Sequence, residues 1–382
     1  MKKRFLSAGL AVVMAASLTA CGGSGSASTT TAAAGEAKAE GESKAAESSA
    51  AADGASFKIG GIGPVTGGAA VYGLAVQHGA EIAVKEINEA GGINGYPVEF
   101  QFQDDEHDAE KSVNAYNTLK DWGMQALMGT VTSAPCIAVA DKTAADNMFQ
   151  ITPSGSAVEC AANPNVYRVC YSDPAQGTAS AKYIGEHKLA SKVAVIYDSS
   201  DVYSSGIYEK FAQEAPNQGI EVVDAEAFTA DSNKDFSTQL QKAKESGAEL
   251  VFLPIYYTEA SLILQQANTM GFAPQFFGCD GMDGILQVQN FDVKLAEGLM
   301  LLTPFAADAT DDLTVKFVKS FEDAYGETPI QFAADAYDAM YVIKAAMEEA
   351  NVTPDMAVGD ICDAMEGAMT KIKVDGLTGT NM

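Results

Sequence analysis

The chain has 382 residues, with 51 acidic against 24 basic side chains and a net charge of −27. A chain this acidic does not neutralise phosphates, which excludes nucleic acid as a partner, and the plain consequence of the charge is solubility. Beyond the N-terminal segment, no apolar stretch is long and uncharged enough to cross a bilayer.

The first element is a basic start (Lys2, Lys3, Arg4) followed by an apolar run from Phe5 to Leu18. This is the three-part shape of a secretory signal, assigned to residues 1–20. It is too short and too poorly flanked for a spanning helix. Leu18-Thr19-Ala20-Cys21 is similar to a bacterial lipobox. That likeness implies a lipid on Cys21 and a mature chain outside the cytoplasm, held to the membrane by the lipid alone. Enzymes that consume ATP or NAD are disfavoured there, because those cofactors are scarce outside the cell. Residues 22–54 are almost entirely Gly, Ser, Ala, Thr, Glu and Lys. Such a segment buries too little apolar surface to offset its ordering entropy. As a coil of about 33 residues it spans roughly 30 Å, a leash between lipid and body.

From Phe57 short β-rich runs alternate with helical patterns. Strands are expected at 57–63, 98–103, 125–130, 148–152 and 166–170, and helices at 69–90, 109–122 and 134–147. Gly91-Gly92 marks a helix stop. The rhythm then repeats, with strands at 193–197, 221–227, 249–253 and 275–278 and helices at 204–218, 236–246 and 259–270. Alternation of this kind predicts an α/β fold of parallel sheets flanked by helices. The roughly 328 residues after the linker are too many for one such core, so two doubly wound lobes are expected. The boundaries read as 55–174 for the first lobe and 175–300 for the second. Residues 301–350 return to the first lobe and 351–382 return toward the second. Crossings are placed at Asp173-Pro174 and Glu297–Phe305.

In open parallel sheets ligands sit beyond the carboxyl ends of the strands. Those positions hold Gly63–Gly67 with Tyr72 nearby, Gly129–Ser133, Thr152–Ser156, Tyr197–Tyr203, Pro254–Tyr257 and Cys279–Gly281. Ser133 stands where a helix begins, and a helix start welcomes a carboxylate. Ser156 offers a second hydroxyl and N–H. Asp280, with tyrosines across the gap, suits an ammonium. Together these hold a zwitterion; individually the serines also read as caps or turn residues, Asp280 as a turn residue before Gly281, and the tyrosines as packing.

Other chemistries fit poorly. Gly61-Ile62-Gly63 lacks the third glycine of a dinucleotide loop, and no Walker loop is present. His78, His107 and His187 form no HExxH pair, and no Gly-x-Ser-x-Gly elbow exists, leaving a Ser-His-Asp triad to geometry. Asp104-Asp105-Glu106-His107-Asp108 lacks the spacing of a calcium loop and reads as a strand end followed by a helix cap. No cofactor or metal is expected. Besides Cys21, the cysteines are Cys136, Cys160, Cys170, Cys279 and Cys362, without zinc-site spacing. Cys160 and Cys170 are close enough in sequence to bridge; free buried thiols are the alternative.

From Phe57 onward the chain resembles the leucine/isoleucine/valine-binding protein family of ABC importers, whose fold is periplasmic binding protein type I. The resemblance rests on the order of Lys58–Gly67, Glu86–Gly95, Gln103-Asp104-Asp105-Glu106, Gly129–Ser133, Ile151–Ser156, Tyr167-Arg168 and Asp173–Gly177. It implies two lobes joined by a multi-strand hinge that close on an amino acid. Carried over by motif, Ser133 and Ser156 hold the α-carboxylate. The Ser154 carbonyl and Ser156 help hold the ammonium, which Asp280 neutralises. Tyr72, Thr132, Tyr203 and Tyr256 surround the side chain, with Phe332 as a further wall. The family often carries Thr at the place of Ser156 and Glu at that of Asp280; the shorter Asp needs a smaller gap or a bridging water. Family members usually continue past the turn at Gly376–Gly379, so the resemblance also implies a truncated C-terminal return. The expected protein is a monomer, not an enzyme, that delivers an amino acid (branched-chain or other aliphatic) to an ABC permease. A sensory module of the same fold is the alternative, and an extracellular hydrolase the remote one.

Overall fold

The computed structural model describes residues 54–382; the signal, Cys21 and all but the last linker residue lie outside them. The first strand, β1 (Phe57–Gly63), is buried on both faces except at Lys58. It alternates no polar residues because helices cover both sides of its sheet. Helix α1 (Ala70–Glu89) follows and ends where Gly91 and Gly92 take φ of 106° and 80°. A Cβ on Gly92 would lie 1.9 Å from the Tyr96 carbonyl oxygen, so only glycine fits this turn. Next come β2 (Val98–Asp104), α2 (Ala109–Trp122), β3 (Ala126–Gly129), α3 (Ser133–Asp146), β4 (Gln150–Thr152) and β5 (Val166–Arg168). Asp108 caps α2, accepting from the Glu110 and Lys111 N–H groups, so the acidic run after β2 does serve as a helix start.

The chain then enters α4 (Asp173–Glu186), which packs on α5 (Val202–Glu214) in the second lobe. That lobe adds β6 (Lys192–Asp198), β7 (Glu221–Phe228), α6 (Ser237–Glu245), β8 (Leu250–Leu253), α7 (Tyr257–Thr269), β9 (Gln275–Gly278) and β10 (Met300–Leu301). The two five-stranded sheets have the orders β2-β1-β3-β4-β5 and β7-β6-β8-β9-β10, and every pairing in them is parallel. The second lobe therefore repeats the winding of the first. In each, the chain reverses direction across the sheet beside its first strand, and ligands bind in such crevices.

Helices α8 (Asp312–Tyr325) and α9 (Gln331–Glu349) return to the first lobe, where both pack on α1. Helix α9 is buried along most of its length. At its crossing with α1 a Cβ on Gly79 would lie 2.0 Å from the Ala333 carbonyl oxygen. Gly79→Val is expected to force the helices apart and cost about 2 kcal/mol or more, seen as a lower denaturant midpoint at unchanged slope.

Residues 351–382 do not go toward the second lobe. Helix α10 (Val358–Met369) buries Ile361, Cys362, Met365 and Ala368 and packs against α9. Asn147, at the end of α3, donates to the Gly359 carbonyl at 3.1 Å and to Asp363 at 2.8 Å. Beyond it, Asp338 of α9 accepts from the Leu377 and Thr378 N–H groups at 2.8 Å each. The expected return is thus corrected: the apolar face of α10 finds its partner on the first lobe, and a buried carboxylate fixes the tail there. Cys136, Cys160, Cys170, Cys279 and Cys362 are all free thiols, so no Cys160–Cys170 bridge is present.

Candidate ligand-binding site

The site forms where the strand ends of the two lobes face each other. From the first lobe come Tyr72 on α1, Val131 to Ser133 after β3, and Ser154 and Ser156 after β4. From the second come Tyr203 on α5, Tyr256 just before α7, and Asp280 and Gly281 after β9, while Phe332 arrives from α9. All nine residues singled out in the sequence as Tyr72, Thr132, Ser133, Ser154, Ser156, Tyr203, Tyr256, Asp280 and Phe332 line this one pocket. Val131 and Gly281 complete it.

The first-lobe wall presents hydrogen-bond donors. Helix α3 begins at Ser133, with Thr132 as its extended cap residue, so the positive end of the helix dipole stands at the pocket wall where Ser133 lies. The Ser133 hydroxyl accepts from the Ser156 and Ala157 N–H groups, each at 3.2 Å, which leaves its own proton to donate. Ser154 donates to the Val131 carbonyl at 2.7 Å. Arg168 holds the same turn from behind, donating to the Ser156 and Ala157 carbonyls at 2.9 and 2.8 Å.

The second-lobe wall presents a buried carboxylate. Asp280 is 5% exposed. Its Oδ1 accepts from the Tyr203 hydroxyl and the Gly281 N–H, both at 2.7 Å. Gln176 of α4 accepts from the Asp280 N–H at 3.1 Å, and Gln331 of α9 donates to its carbonyl at 2.8 Å. Three elements thus clamp Asp280, Tyr203 of α5 on its carboxylate and Gln176 of α4 and Gln331 of α9 on its main chain, and no lysine or arginine lines the pocket.

Aromatic rings close the remainder. Tyr256 stacks on Tyr203 at 4.9 Å and meets Tyr72 edge-on at 5.5 Å, while Phe332 lies 4.3 Å from Tyr72. The Tyr72 hydroxyl donates to the Gly281 carbonyl and accepts from the Tyr257 N–H, so one first-lobe side chain is bonded to two second-lobe segments. His107 reaches Thr132 Oγ1 through Nδ1 at 2.8 Å. Among the described residues no histidine links a serine to a carboxylate, which removes the triad. Tyr256 also borders an outer cavity lined by Glu106, Asp198, Asp201 and Glu259 among others.

Sequence reasoning missed Gln176 and Gln331, because neither lies at a strand end; each reaches Asp280 from a helix far away in sequence. Helix α7 begins at Tyr257, two residues before the start that its sequence pattern predicts, so Tyr256 is the residue that enters the helix.

Burial pushes the Asp280 carboxyl up to about 6, Asp201 up to about 6 and Asp173 up to about 8, against about 3.9 for an exposed aspartate. Between these values the folded, ligand-free chain binds more protons than the unfolded chain, so its stability falls as pH rises. The melting temperature of ligand-free protein is expected to decline from about pH 5 to about pH 8, measured by calorimetry.

A family model described as periplasmic binding protein matches residues 56–382. The chain belongs to the periplasmic binding protein family. It is 32% identical over 305 residues to the "Leu/Ile/Val-binding protein homolog 3" of Brucella melitensis, covering 79% of this chain and 82% of that one. It is 30% identical over 297 residues to the leucine-, isoleucine-, valine-, threonine- and alanine-binding protein of Pseudomonas aeruginosa, covering 77% and 79%. Among solved structures it is similar to the branched-chain amino acid transporter substrate-binding protein LivJ of Streptococcus pneumoniae in complex with isoleucine. The TM-score is 0.77 at 27% identity, covering 85% of this chain and 91% of that one. The family comprises extracytoplasmic substrate-binding proteins of ABC transporters rather than enzymes, and the two-lobed α/β architecture is that of the type I members.

Proposed function

We propose that this protein captures a branched-chain or other aliphatic amino acid outside the cytoplasm, held to the membrane by a lipid on Cys21, and delivers it as a monomer to an ABC importer. The observation that carries this reading is the opposition of the α3 N-terminus and Ser133 on one lobe to Asp280 on the other. An α-carboxylate suits the first and an α-ammonium the second. Three tyrosines and Phe332 wall the rest of the pocket, which suits a short apolar side chain. A ligand that bridges opposite charges across the cleft binds the closed arrangement better than the open one, and that difference is what drives closure. The similarity to proteins named for leucine, isoleucine and valine supports the same side-chain class.

A thermal-shift screen of the twenty amino acids, with sugars and short peptides as controls, tests this. Ligand bound only by the folded state raises the melting temperature. Leucine, isoleucine or valine is expected to give the largest rise; a rise confined to sugars or peptides contradicts the reading.

A further inference from the structure

Helix α1 on the first lobe and helix α7 on the second cap each other across the cleft. An α-helix cannot satisfy its own first N–H groups, and neither Ala69 before α1 nor Tyr256 before α7 bonds its helix through a side chain. The Val71 N–H, in the first turn of α1, donates to the Tyr257 hydroxyl at 3.2 Å. In return the Tyr257 N–H, at the start of α7, donates to the Tyr72 hydroxyl at 3.3 Å. Each helix thus takes its cap from a tyrosine on the other lobe, and the two rings meet edge-on at 4.8 Å. Beside them the Thr258 hydroxyl donates to the Gly68 carbonyl, just before α1, at 2.9 Å. Neither Tyr257 nor Thr258 lines the ligand pocket.

We infer that this reciprocal cap is a latch: Tyr257 and Thr258 are positioning residues that hold the lobes closed without touching the ligand, and so set how tightly an amino acid is kept. The inference rests on the proposed capture of an amino acid between the lobes. Each of the three bonds pairs a side-chain hydroxyl of one lobe with a main-chain group of the other. All three therefore break when the lobes part, and the first-turn N–H groups of both helices pass to water. Water replaces such bonds, so each has a modest net worth. The apparent affinity nevertheless scales with the fraction of protein in the binding-competent state, so a modest bias toward closure multiplies directly into binding. The bonds form only once the lobes have met. They slow opening rather than hasten encounter, which puts their effect in the dissociation rate. The latch also biases the free protein, because its three bonds need no ligand to form.

The test compares the full chain with Tyr257→Phe, Thr258→Val and the double variant. Phenylalanine keeps the ring and valine keeps the branched shape, so each change removes little besides a hydroxyl. Leucine affinity in isothermal titration is expected to fall about 2- to 10-fold for each single variant and further for the double. Stopped-flow fluorescence is expected to place the loss in the dissociation rate, with the association rate unchanged. Thr258→Ser keeps the donor and is expected to bind as the parent does. Unchanged affinity in the double variant, or a loss confined to the association rate, overturns the latch. A parent that binds no leucine overturns the amino-acid reading instead, and the latch is then decided by X-ray scattering of the free proteins. A larger radius of gyration in the double variant than in the parent upholds it, and equal radii overturn it.

Discussion

Asp280→Asn is expected to lower leucine affinity by about 10- to 100-fold with the fold intact, the loss of one charge-assisted hydrogen bond in a closed cleft. The substitution is chosen because Tyr203 and Gly281 both donate to Oδ1. An asparagine oxygen in that place keeps both bonds, so the turn keeps its shape and only the charge opposite the ammonium is lost. The sign of the stability change separates this from misfolding. Burial already pushes the Asp280 carboxyl up to about 6, which means that the ionised side chain is costly in the empty pocket. Ligand-free Asp280→Asn should therefore melt no lower than the parent at neutral pH while its calorimetric affinity falls. Unchanged affinity would remove Asp280 from the site.

Ser133→Ala is expected to act on both properties at once. The Ser133 hydroxyl accepts from two buried N–H groups, those of Ser156 and Ala157. Removing it leaves both without a partner, at about 1–3 kcal/mol each, and takes away a donor for the ligand carboxylate. The ligand-free protein should lose about 2–6 kcal/mol in denaturant unfolding, and leucine affinity should fall more than tenfold. Ser133→Thr keeps the oxygen and should restore most of the stability. A serine that merely starts a helix would show neither the affinity loss nor this rescue.

These two side chains were visible in the sequence for a simple reason. In a parallel α/β lobe ligands bind at the strand ends, so finding β3, β4 and β9 also placed Ser133, Ser156 and Asp280 where the pocket lies. Their apolar runs are short and bounded by glycine or proline, which makes such strands easy to read. Helix α4 was harder. Its sequence, Asp173–Glu186, is rich in Ala, Gly and Ser, because it packs closely on α5: a Cβ on Gly177 would lie 2.5 Å from the Ile207 carbonyl oxygen. A helix whose buried face is made of small residues carries little apolar periodicity. The clamp on Asp280 was invisible for a different reason. Gln176 and Gln331 meet that residue only through the tertiary fold, and nothing local to either glutamine marks it as a partner. The tail failed where family resemblance outweighed the chain's own pattern. Ile361, Cys362, Met365 and Ala368 form a helical stripe that needs a neighbouring helix, and α9 supplies one.

The central claim is that one ligand is held by its α-carboxylate on the first lobe and its α-ammonium on the second. Isothermal titration of protein freed of ligand by unfolding and refolding, with leucine, leucine amide and 4-methylpentanoic acid, tests it most directly. All three share the same side chain; the amide lacks the carboxylate and the acid lacks the ammonium. The account predicts binding of leucine and a loss of at least about tenfold for each analogue, since each leaves one charged or hydrogen-bonding wall without its partner. Equal affinity for leucine and either analogue would contradict it.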